Sequence, residues 1–234
     1  MTEDDRCVSG SEHVESIRNV CGFGEYRAYI LMGIARGKFN DGLTHNSEVV
    51  YRKVISDEDG VEQAVEDLWA LMARHNLHWR VYLSVNARNT LRAYFNFRDE
   101  MNKWSRDLVH GDDHVEEKLG RVSSHWKSAL HRPEVRDDKY FQFDLDDIDH
   151  GQYLSFVESL PAQDGSSVTN PSDSVFRYKR QTPNGYHVIT EPFNYTEWES
   201  PIDYDDLDND GELFIAEIDC SLRTDTGRPD GGAG

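Results

Sequence analysis

Phe141-Gln142-Phe143-Asp144-Leu145-Asp146-Asp147 is the segment from which the fold of this chain is read. In an extended strand side chains alternate faces, so Asp144 and Asp146 project from one side and Phe143 and Leu145 from the other. Two residues of rise set the carboxylates about 7 Å apart, a spacing at which they can share a hard divalent cation such as Mg²⁺. Further along, Thr182-Pro183-Asn184-Gly185 delivers Tyr186-His187 into a second strand-like run, Val188-Ile189-Thr190. Val175 to Lys179 leads into that turn, so the segment predicts a hairpin joined by the two-residue connection Asn184-Gly185.

Upstream, Tyr26 to Ala35 reads as a buried strand, and Glu48 to Ile55 as its hairpin partner across a long polar turn. Val61, Val65, Leu68, Trp69 and Met72 recur at helical spacing within 61–74, and Trp79 to Val85 is again strand-like. Leu91, Tyr94, Phe95, Met101, Trp104 and Leu108 form a helical stripe over 89–109, and a further helix is predicted over 114–130, closed by Pro133. A short helix near 152–160, a polar loop at 162–172 and a last strand at 213–219 complete the order. Strands and helices mixed without strict alternation predict an α+β fold, with a mixed or antiparallel central sheet flanked by helices. One domain is expected over residues 25–222, between a flexible acidic tail at 1–24 and a flexible tail at 223–234.

The 234 residues carry 44 Asp and Glu against 25 Lys and Arg, a net charge of −19. Abundant Asp, scarce Lys and low hydrophobicity predict a halophilic surface, as in a salt-loving host or its virus, since a dense acidic skin repels itself unless screened. A merely acidic, soluble protein fits the same composition. Such a charge argues against broad adhesion to nucleic acid but leaves room for a local basic groove. Two stretches supply one: Arg74 to Arg106, and Ser174 to Thr190 with Arg177, Lys179 and Arg180 and no acid. Cys7, Cys21 and Cys220 form neither a disulfide framework nor a zinc motif. With no apolar run long enough for a bilayer and no secretory pattern, a cytoplasmic location is expected, the host cytoplasm if the protein is viral, with no membrane partner.

Catalytic Mg²⁺ or Mn²⁺ at Asp144 and Asp146 calls for a further acid, and Glu217 or Asp219 on the last strand qualifies, both predicted to face away from Phe214 and Ala216. His187, beside Arg177, Lys179 and Arg180, suits a phosphate oxygen. Asn86, Arg88 and Arg92, at a strand end and helix start, offer a weaker phosphate or template contact, with Arg88 the candidate. The histidines at 110, 114, 125 and 131 match no metal pattern, and the acidic run 203–210 reads as a solvated loop.

Together these elements resemble the archaeo-eukaryotic primase superfamily, which includes the primase-polymerases of plasmids and viruses. Phe141 to Asp146 matches its strand ending in Asp-x-Asp, and Thr182 to His187 its histidine strand, while the third acid stays open between Glu217 and Asp219. The resemblance implies a primase-polymerase-like catalytic core performing metal-dependent nucleotidyl transfer in replication. Asp144, Asp146 and the third acid would hold the ions, and His187 would meet the phosphates of a nucleoside triphosphate. A single-stranded template and a replication-protein partner are implied with it. The first half has no motif of the family, and no zinc cluster is present. A metal-dependent phosphodiesterase or nuclease, or a non-catalytic nucleotide- or nucleic-acid-binding protein, are the alternatives.

Overall fold

The computed structural model describes residues 10–111, 114–162, 174–204 and 206–220, and the fold is α+β, with two antiparallel sheets and flanking helices. The first sheet has the order β2-β1-β3-β9, from β1 (Arg27–Arg36), β2 (Glu48–Ile55), β3 (His78–Ser84) and β9 (Glu212–Asp219), and the short β4 (Arg88–Asn89) pairs with β1. The second has the order β6-β7-β5-β8, from β5 (Phe141–Asp146), β6 (Phe176–Gln181), β7 (Gly185–Thr190) and β8 (Asp206–Asp208). The sequence led to a single central sheet; the walls of the molecule are in fact divided between two.

Between its terminal arginines β1 is apolar, from Ala28 to Ala35, because both of its faces are covered there. Tyr29, Leu31 and Ala35 pack with α2 (Gly60–Met72), whose Val61, Val65, Leu68, Trp69 and Met72 form one stripe. Ile30, Met32 and Ile34 face Ala93 of α3 (Thr90–Val109) and Leu130 of α5 (Val122–Leu130). The side chain of Asn89 caps α3 by accepting from the Arg92 N–H at 2.9 Å. The single helix expected over 114–130 is two, α4 (His114–Gly120) and α5, because Arg121 after Gly120 leaves helical geometry.

In the second sheet Phe143, Leu145 and Val188 turn inward against Tyr153 and Phe156 of α6 (His150–Ser159). A capping box between Asp149 and Gln152 starts that helix. The opposite face, with Asp144, Asp146 and His187, looks toward the first sheet.

Three expectations are corrected. Residues 14–20 are not tail but α1 (Val14–Val20), with Val14 and Ile17 in the main core; burying an Ile or Val stabilises by about 1.5–3 kcal/mol, enough to dock a largely polar helix. Cys220 is disulfide-bonded, whereas Cys21 is free and its thiol is pushed up in pKa by burial, so a disulfide is present where the spacing pointed to no disulfide framework. In the hairpin the central residues are Pro183 and Asn184, since the Thr182 N–H donates to the Gly185 carbonyl at 2.9 Å. Gly185 belongs to β7 and is needed for close approach: a Cβ there would lie 1.9 Å from the Leu145 carbonyl oxygen. The loop at 163–172 and the tail at 223–234 lie outside the described residues. Among the described residues no helix is long and apolar enough to cross a membrane.

Candidate functional site

β5 and β7 pair with Asp144 directly opposite His187 and Asp146 opposite Gly185. Cross-strand partners share a face, so the carboxylate and imidazole read separately from the sequence stand side by side, with His187 Nε2 3.5 Å from Asp144 Oδ1. They open into a cleft of about 740 Å³ between the two sheets, lined also by Asp146 and by Thr182, Pro183 and Asn184 of the hairpin tip.

The imidazole is 7% exposed, and burial pushes its pKa down to about 4. Its Nδ1 accepts the Phe214 main-chain N–H at 3.2 Å, a bond from the first sheet to the second, and lies 3.1 Å from Gln142 Nε2. Burial thus disfavours the imidazolium form, and Nε2 is the ring nitrogen turned toward Asp144.

Glu217 and Asp219 are not in the cleft. Glu217 is held by Arg80 Nε at 3.2 Å and His78 Nε2 at 3.0 Å, and Asp219 pairs in register with His78 at the far end of β9. At a bulge Ile215 and Ala216 together oppose Val81, which returns Glu217 to the face of Phe214, a residue that does line the cleft; position further along β9, beside Arg80 and His78, is what keeps Glu217 out. The acids that do line the cleft are Asp208, Asp210 and Glu212. Asp208 is on β8, next to β5 and opposite Gln142, so it shares the face of Asp144. The signal for it was a second Asp-Leu-Asp, residues 206–208, whose Leu207 packs into the same core as Leu145.

The cations differ in the same way. Arg177 pairs with Glu191 and lies over Tyr140, Lys179 lies over Tyr153, and Arg180 is bonded to Ser16 and the Ile215 carbonyl; none lines the cleft. Arg88 is 0% exposed and grips Asp210 with Nη1 to Oδ2 at 3.0 Å and Nη2 to Oδ1 at 2.8 Å, so it shapes a cleft wall and cannot itself touch a ligand. Arg36, Lys38 and Arg80 of the first sheet and its loop face the acids instead, with Lys38 and Arg80 against the ring of Phe39. At the back His131 Nε2 meets Glu212 Oε1 at 3.4 Å; burial raises the pKa of Glu212 against the pull of Arg52, Arg36 and Arg88, and burial lowers that of His131.

Comparisons with protein-family models, with curated proteins and with solved structures find no match to this chain. Among the described residues no three His, Cys, Asp or Glu side chains form a ready cage for an ion. Asp144 and Asp146 nonetheless present hard oxygen donors from one strand to an open cleft. Mg²⁺ suits such a donor set because it retains several waters and takes only one or two carboxylates beside phosphate oxygens.

Proposed function

We propose that the chain is a divalent-metal-dependent nucleotidyltransferase of primase-polymerase type, acting on nucleoside triphosphates with a single-stranded template. The observation that carries this reading is the pairing of Asp144 with His187 on the floor of a cleft whose opposite wall brings Arg36, Lys38 and Arg80 beside Glu212. A polyanionic triphosphate cannot sit beside Asp144, Asp146 and Asp208 unless positive charge accompanies it. Asp144 and Asp146, with Asp208 in place of Glu217 or Asp219 as the third acid, would hold Mg²⁺ or Mn²⁺, which would supply that charge and the Lewis acidity that phosphoryl transfer needs. Arg36, Lys38 and Arg80 take the role first given to Arg177, Lys179, Arg180 and Arg88, that of balancing the phosphates. His187 donates Nε2–H to a phosphate oxygen.

The test is extension of a labelled primer on a single-stranded template with Mg²⁺ or Mn²⁺ over a range of KCl concentrations. Lengthening by the wild type, lost in Asp144→Ala, is expected. Shortening of the labelled strand would move the assignment to a phosphodiesterase, and no change under any metal or salt would refute catalysis.

A further inference from the structure

Gln142 lies two residues before Asp144 on the same face of β5, is 6% exposed, and is buried against the turn at Gly211. Its Nε2 reaches two acceptors, His187 Nδ1 at 3.1 Å and the Glu212 carbonyl at 3.3 Å. The carbonyl can only accept, and Nδ1 already accepts from the Phe214 N–H, so the amide nitrogen must face them both. The other end of the amide, Oε1, is buried with no hydrogen-bond partner. An unsatisfied buried carbonyl costs about 1–3 kcal/mol, so an apolar side chain would serve packing better than this amide does.

We propose that Gln142 is a positioning residue: with the Phe214 main-chain N–H it fixes His187 as the Nε2–H tautomer and aims that N–H into the cleft beside Asp144. A ring nitrogen that accepts two N–H donors cannot carry a proton, so the single proton of the neutral imidazole resides on Nε2. The side chain turned to the cleft is therefore a hydrogen-bond donor, matched to an anionic oxygen and mismatched to a donor group. This sets the ligand group at that point of the site as a hydrogen-bond acceptor, and it rests on the nucleotidyl-transfer reading for the identity of that acceptor as a phosphate oxygen.

Long-range ¹⁵N correlation spectra of the wild-type imidazoles read the tautomer without any substrate. The expected result is an acceptor-type signal at Nδ1 and a protonated signal at Nε2 of His187, assigned by its loss in His187→Gln. In Gln142→Glu an acceptor replaces the Nε2 donor while the Phe214 N–H still faces Nδ1, so the Nδ1 signal is expected to shift from its wild-type position. In Gln142→Met one of the two donors is lost, and kcat/KM for nucleotide incorporation is expected to fall about tenfold, the worth of one oriented hydrogen bond. A proton on Nδ1 in the wild type overturns the proposal, as does a Gln142→Glu spectrum identical to wild type. Absence of any incorporation by the wild type would refute the polymerase reading alone, because the spectra decide the tautomer separately.

Discussion

Asp210→Ala offers the sharpest energetic test, because it would strand the guanidinium of Arg88, 0% exposed, without the carboxylate that both of its terminal nitrogens face. Removing one partner of a buried ion pair costs about 3–5 kcal/mol, since the remaining charge keeps its desolvation penalty and loses its compensation. Glu212, whose carboxyl already feels Arg88, offsets part of this, so the lower end, about 3 kcal/mol, is expected. At roughly 2–4 °C per kcal/mol for a chain of this size, Tm should fall by about 6–12 °C. The reverse change, Arg88→Met, is milder, because Asp210 has a side chain 20% exposed and can rehydrate; about 1–3 kcal/mol is expected. The double variant should recover much of the loss. Urea unfolding followed by tryptophan fluorescence at fixed KCl measures all three. A cost below about 1 kcal/mol for Asp210→Ala, or a larger cost for Arg88→Met than for Asp210→Ala, would refute the reasoning.

Two further outcomes follow from the β5–β7 pairing. Gly185→Ala places a methyl group 1.9 Å from the Leu145 carbonyl oxygen, so the strands must part; a loss of about 1–3 kcal/mol in thermal unfolding is expected, while Asn184→Ala beside it stays near wild type. The folded-state pKa of His187, about 4, is below the ordinary value of 6.5, so acid protonates the unfolded chain first. Its contribution is whole above pH 6.5 and is lost as pH falls toward about 4, by up to about 3 kcal/mol, and the difference between wild type and His187→Gln in denaturation curves across that window isolates it.

The parts of the fold legible in the sequence were those whose pattern is set by burial alone. Leu68, Trp69 and Met72 announce their helix, and the alternation from Phe143 to Asp146 fixes which carboxylates face the cleft. His187 was found because its strand follows a recognisable turn. The misses have physical causes. Once the bulge at Ile215 and Ala216 is counted, Glu217 and Asp219 share the cleft-lining face of Phe214 but stand further along β9 beside His78 and Arg80, a distance that strand parity does not carry. β8 has three residues and one apolar side chain, Leu207, too little to rise above an acidic background. Arg177 and Arg180 are as basic as Arg36 and Arg80, and only the packing of one sheet over the other decides which pair meets the cleft.

The bond from the Phe214 N–H to His187 Nδ1 spans the space between the two layers of strands. Prying those layers apart would free the ring to rotate before either layer lost its own ladder of main-chain bonds. The orientation of one imidazole thus gauges the width of the gap, and a guest that wedges the layers open would disarm the very group that greets it.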